Sequence, residues 1–68
     1  MNYNIEYERE EDGRWIAEVP QLPGVFAYGA TVDEAMAKAE ALALRVLAER
    51  LENAECRPMP ISIAFAAV

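Results

Sequence analysis

The stretch from Trp15 to Ala35, WIAEVPQLPGVFAYGATVDEA, limits what this chain can fold into more than any other. Two short apolar strand signals flank a Pro-Leu-Pro-Gly corner, and a helix start follows. Pro20 and Pro23 fix their own φ and bias the preceding residues away from helix, so the first strand ends there and the path stays extended. Gly24 permits a sharp reversal that a side chain resists. Gly29 closes the next strand. Thr31 and Glu34 have the spacing of a capping box, in which the hydroxyl accepts from the N3 amide and the carboxylate accepts from the N-cap amide. The stretch holds neither a nucleophile nor a metal cage. It is scaffold and recognition surface.

The flanking segments fit a sheet with one helix. Residues 2–10 alternate, with Tyr3, Ile5 and Tyr7 on one face and Asn4, Glu6, Glu8 and Glu10 on the other, the period of a half-buried strand. Glu11-Asp12-Gly13 is a hairpin turn signal, with glycine at the positive-φ position. A second strand covers Arg14–Val19, with Trp15, Ala17 and Val19 on its apolar face and Ile16 and Glu18 opposite. A third runs from Val25 to Tyr28 and sets Val25 and Ala27 against Phe26 and Tyr28. Short connections make these three an antiparallel meander.

From Val32 to about Glu52 the chain contains no Gly or Pro and is rich in Ala, Leu, Glu and Arg, which predicts a helix of roughly 31 Å. Asp33 and Glu34 stand in its first turn and Arg50 near its end, as the helix dipole favours. Ala35, Ala39, Leu42, Ala43, Val46 and Leu47 form the stripe expected to lie on the sheet. Glu34, Lys38, Arg45, Glu49 and Glu52 form a charged flank. A second stripe, Ala37, Ala41, Leu44 and Ala48, is more apolar than a solvated face needs; it is either simple helix propensity or a close contact with another chain. Pro58 and Pro60 exclude helix from the following loop, and Ile61-Ser62-Ile63-Ala64-Phe65 reads as a last strand. A strand–helix–strand connection sets that strand parallel to the one before the helix. The expected fold is α+β: a four-stranded mixed sheet with one long helix on one face, a single domain over residues 1–68.

A domain of 68 residues buries about 60% of its unfolded surface and is marginal alone. Cys56 is the one cysteine, so no internal disulfide forms, and no histidine is present to hold zinc. Self-association or a partner protein is the expected support, with a homodimer or higher homo-oligomer the plain case. Twelve acids against six bases give a net charge of −6. That disfavours nucleic acid, whose phosphates are bound by Lys and Arg, and favours a basic partner. The N-terminus lacks the basic and apolar regions of a signal peptide. The apolar tail from Ile61 to Val68 is too short to span a bilayer. With an unpaired cysteine, this points to the cytoplasm.

Catalytic chemistry finds little to work with. Triads of the Ser/His/Asp or Cys/His kind need a histidine. Cys56 follows a helix C-terminus, which raises a thiol pKa rather than lowering it. Glu6, Glu8 and Glu10 share a strand face, and carboxylates of this kind are ordinarily its wet side rather than a cation site. Gly13, Gly24 and Gly29 are isolated and make no phosphate loop. The expectation is a protein that is not an enzyme and needs no metal or cofactor.

If the helix covers the face bearing Tyr3, Ile5, Trp15, Ala17, Val19, Ile61, Ile63 and Phe65, then Ile16, Phe26 and Tyr28 lie on the other. Rimmed by Glu6, Glu8 and Glu18, they have the make-up of an interface core with an acidic rim. A register slip at the corner would instead turn Phe26 and Tyr28 inward.

The run Ala17, Val19-Pro20, Leu22-Pro23-Gly24, then Gly29, Thr31 and Glu34-Ala35, preceded by Asp12-Gly13 and followed by an Ala/Leu helix, resembles the HicB antitoxin family over nearly the whole chain. Departures from that pattern are Gln21 where an acid is frequent, Val25 where cysteine is common, and Ala30 where Asp is usual. The resemblance implies a partial ribonuclease-H-like β-β-β-α-β fold, in which Pro20, Leu22, Pro23, Gly24, Gly29, Thr31 and Glu34 are structural signature residues. It implies a binding role: such proteins neutralise a HicA-type toxin, small, basic and mRNA-cleaving, by masking its active surface. Ile16, Glu18, Phe26, Tyr28, Glu6 and Glu8 are the expected partner-binding residues, and Ala37, Ala41, Leu44 and Ala48 the expected oligomer contacts. Many members also carry a C-terminal DNA-binding segment. This sequence stops at Val68, so the expectation is a short form without direct promoter binding. The alternative is an oligomeric structural or regulatory module of the same fold with no toxin partner.

Overall fold

A computed structural model describes residues 2–53 and 62–67. Strands β1 (Asn2–Arg9), β2 (Trp15–Glu18) and β3 (Phe26–Gly29) precede helix α1 (Val32–Glu52), and β4 (Ala64–Ala67) follows it. The four strands form one mixed sheet in the order β3-β2-β1-β4. β1 pairs antiparallel with β2, and β2 with β3, whereas β4 pairs parallel with β1. The last strand therefore runs in the same direction as β3, as the crossover argument requires, but on the opposite edge, with β2 and β1 between them. Expectations placed on Cys56, Pro58, Pro60 and Ile61 lie outside the described residues.

The Pro-Leu-Pro-Gly corner is two consecutive turns rather than a loose loop. The Leu22 amide donates to the Val19 carbonyl at 2.9 Å and the Val25 amide to the Leu22 carbonyl at 3.0 Å. The Val19 amide closes the corner on the Val25 carbonyl at 3.0 Å. Leu22 points into the core and is 2% exposed, so the corner carries its own apolar plug. Gln21 reaches across the sheet, its side-chain oxygen accepting from the Asn4 amide at 3.3 Å. Gly24 has φ of 84°, the left-handed conformation that makes glycine the default there.

Gly29 ends β3 under the first turn of α1 and is buried. A Cβ at this position would sit 2.6 Å from the Ala35 amide nitrogen and 3.0 Å from the Glu34 Cβ. The absent side chain lets the strand pass this close to the helix start. Thr31 caps that helix, with φ −126° and ψ 161°, its hydroxyl accepting from the Glu34 amide at 3.1 Å. The reciprocal arm differs from the expected box. The Glu34 carboxylate accepts from the Lys38 ammonium one turn on, at 3.0 Å, and this bond, followed by one from the Ala30 backbone, holds its pKa below the usual carboxylate range. The lysine wins because it offers an opposite charge at i,i+4. Replacing Thr31 with alanine is expected to cost about 1 kcal/mol, read by urea unfolding; Thr31→Ser retains the acceptor and loses little.

Ala35, Ala39, Ala43 and Leu47 are the buried residues of α1, with Leu42, Val46 and Met36 half-buried beside them. Three of those four buried residues are alanines, which let the helix axis come near the strands. The helix packs chiefly on β3 and β2, less on β1. The core they enclose holds Tyr3, Ile5, Ala17, Val19, Leu22 and Val25, with Trp15, Ala27, Ile63 and Phe65 packed at its margin.

Tyr7 keeps the parity of Tyr3 and Ile5 but is 44% exposed, because the helix covers β1 less than β2 or β3; its ring leans on Trp15, centroids 6.3 Å apart. One expectation needs correction: among the described residues the last strand is Ala64–Ala67, and Ser62 and Ile63 precede it, since its ladder with β1 starts at Asn2 opposite Ala64 and continues to Ile5 opposite Ala67. Ile63 and Phe65 still face the core, and Phe65 stacks on Tyr3 with centroids 5.6 Å apart.

Candidate functional site

Sheet register decides what the helix-free face displays. Glu6 stands opposite Glu18, and Glu18 opposite Phe26. In the next row out, Glu8 stands opposite Ile16, and Ile16 opposite Tyr28. All six residues expected to form a partner-binding face are thus brought together in two adjacent rows across three strands. No slip occurs at the corner: Phe26 is 49% exposed and Tyr28 38%. Their rings meet edge to face with centroids 6.2 Å apart, an arrangement that stiffens an aromatic patch before anything touches it. Between the rows, Glu6, Tyr7, Glu8, Ile16 and Glu18 line a shallow depression.

Arg14 belongs to this face and was not singled out from the sequence. Its guanidinium lies 4.6 Å from the Tyr28 ring centroid and its Nε donates to Asp12 Oδ2 at 2.8 Å. The Asp12 carboxyl is held below its usual range, first by the Arg14 backbone amide, which donates to Oδ1 at 3.1 Å, against an opposing effect of desolvation. The available signal was parity, because Arg14 falls in step with Ile16 and Glu18 along β2. The result is a polarised face: a cation over the aromatic ring at the β1–β2 turn and carboxylates along β1 and β2.

The Glu6–Glu18 pair sets like charges directly opposite each other, which disfavours the sheet. Neutralising one member should therefore stabilise the isolated chain. Glu18→Gln is expected to add a few tenths of a kcal/mol to about 1 kcal/mol, measured as a rise in urea midpoint that shrinks in high salt. A lowered midpoint would mean that the carboxylates are not repelling.

The expected oligomer stripe lies on the solvent side of α1. Ala37, Ala41, Leu44 and Ala48 are all exposed, Leu44 by 45%. Pro20, Pro23, Gly24, Thr31 and Glu34 are exposed at the surface of the corner and cap, while Leu22 and Gly29 are buried, so the signature residues divide between the core and the turns. Among the described residues no group of three or more acidic or cysteine side chains gathers as a metal site, and no helix is long and apolar enough to cross a membrane.

Structure and surface define a small α+β module whose sheet is covered by a helix on one face and open, aromatic and acidic on the other. The chain belongs to the family described as HicB-like antitoxin of bacterial toxin–antitoxin systems, whose model matches residues 3–67. The family suggests a toxin–antitoxin role. The chain is also similar to the UPF0150 protein ssr1258 of Synechocystis sp. (strain ATCC 27184 / PCC 6803 / Kazusa), 55% identical over 36 residues. That match covers 53% of this chain and 52% of the relative, about half of each. No solved structure matches the chain.

Proposed function

We propose that this protein is an antitoxin that binds a small, basic, mRNA-cleaving toxin of the HicA type and masks its active surface, itself having no catalytic activity and acting in the cytoplasm. The observation that carries this reading is the two-row face of Glu6, Glu18 and Phe26 with Glu8, Ile16 and Tyr28. A basic ribonuclease binds RNA through Lys and Arg. A surface that competes for those groups needs uncancelled carboxylates beside an apolar anchor, since the charges speed and select the encounter while the buried aromatic side chains hold it.

The test is a native pull-down of the tagged chain, identification of a co-purifying small basic chain, and assay of that chain on mRNA. The expected result is cleavage by the captured protein alone and its loss on adding the antitoxin in equal amount. Recovery of only the bait would count against the reading.

A second reading is an oligomeric structural or regulatory module without a toxin. It is favoured by the 45% exposure of Leu44 among small residues on the outer stripe of α1. In that case Ala41→Glu with Ala48→Glu dissociates the assembly.

A further inference from the structure

Among the described residues no strand lies on the outer edge of β3, which is terminal in the sheet order. Which of its backbone groups face outward follows from two hydrogen bonds. The Glu10 amide donates to the Arg14 carbonyl at 2.7 Å, and the Val19 amide to the Val25 carbonyl at 3.0 Å. Counting along each ladder by two, Glu6–Glu18 and Glu8–Ile16 are hydrogen-bonded pairs of β1 and β2, and Ala17–Ala27 and Trp15–Gly29 those of β2 and β3. Phe26 and Tyr28 therefore direct both amide and carbonyl out of the sheet. The run Val25 to Ala30, VFAYGA, contains no charge and no proline, the devices that ordinarily keep an edge from pairing.

We propose that this edge pairs with the same edge of a second copy about a two-fold axis, joining two four-stranded sheets into one of eight. Antiparallel pairing is self-complementary, because Phe26 and Tyr28 of each chain offer the same alternating donors and acceptors to the other. Charge distribution selects the edge over the face. Stacked face to face, two sheets lie about 10 Å apart and oppose their carboxylates. Joined at β3, the two copies of Glu18 are about three strand spacings, or 14 Å, apart, beyond the Debye length of about 8 Å at physiological ionic strength. Both helices then lie on one side of the joined sheet and both acidic–aromatic faces on the other. The proposal does not depend on the toxin reading, because it concerns the chain alone.

The test is amide exchange by NMR on the full chain at a series of dilutions, with mass by sedimentation at the same concentrations. The expected result is a dimer in which the Phe26 and Tyr28 amides exchange at least tenfold faster on dilution through the dissociation constant. Ala27 and Gly29, bonded within the chain, stay protected throughout, and Ala41→Glu with Ala48→Glu leaves the dimer mass unchanged. A monomer at several hundred micromolar overturns the proposal. So does an oligomer whose Phe26 and Tyr28 amides exchange freely, or one that the two helix substitutions dissociate.

Discussion

Gly29→Ala is expected to remove most of the stability of this domain. The new Cβ would lie 2.6 Å from the Ala35 amide nitrogen and 3.1 Å from the Ala35 Cα, both backbone atoms in the first turn of α1. No rotamer change relieves such a contact, so the helix start must lift from the end of β3. Overpacking of this kind costs about 2–3 kcal/mol, against about 3–5 kcal/mol available to a single core of this size. The midpoint of thermal unfolding should fall by roughly 10–20 °C, followed by circular dichroism. Gly24→Ala is the matched control. Its added Cβ meets nothing within 4 Å, and only the strain of φ 84° applies, about 1 kcal/mol. A loss at Gly29 no larger than at Gly24 would show that the close approach is not what requires the glycine.

The second large effect concerns recognition. Phe26→Ala combined with Tyr28→Ala removes the exposed aromatic pair while leaving every buried side chain in place. The unfolding midpoint should shift by only a few degrees. Affinity for the proposed toxin should fall about a hundredfold or more, the scale of losing an aromatic hot spot worth about 3 kcal/mol, with the change mainly in dissociation rate. Glu18→Gln acts on the other half of the face. It should lower the association rate and flatten its salt dependence while raising the stability of the free chain. On the proposed antitoxin reading, a carboxylate pair that weakens the fold but speeds the encounter would be a cost retained for function. Calorimetry and surface binding at two salt concentrations separate the two effects; unchanged affinity in the aromatic double variant would remove Phe26 and Tyr28 from the contact surface.

Much of the architecture is local and for that reason readable. Thr31 and the uninterrupted run to Glu52 define α1 to the residue. Alternation along β1, β2 and β3 assigns Tyr3, Ile5, Ala17, Val19 and Val25 inward and Ile16, Phe26 and Tyr28 outward. What could not be read depends on partners distant in the chain. Ile61 to Phe65 and Ala64 to Ala67 share the same period, and only the register against Asn2–Ile5 chooses between them. Tyr7 shares the parity of core residues, and its exposure follows from the helix leaning toward β3 and β2. Glu34 has two acceptable hydrogen-bond partners, and the charged one takes it. Opposition of Glu6 to Glu18 is likewise a fact of register, invisible until the hairpin is aligned.

The parallel pairing of β1 with β4 means that the sheet is completed only after Ala67 has been synthesised, well after β1 itself. β1, β2 and β3 can zip as they emerge, each turn closing a few residues, and α1 follows by local contacts. β1 then waits with one flank open, because the strand that covers it ends at Ala67. At about 5–20 residues per second, the interval between completing β3 at Gly29 and reaching Ala67 is roughly 2–8 s, long against hairpin and helix formation. During that interval the nascent chain offers Asn2–Ile5 as a docking strip to any passing extended segment. A mutation that slows or loosens β4 should therefore appear first as loss of soluble yield during expression, before any change in the properties of the molecules that do mature.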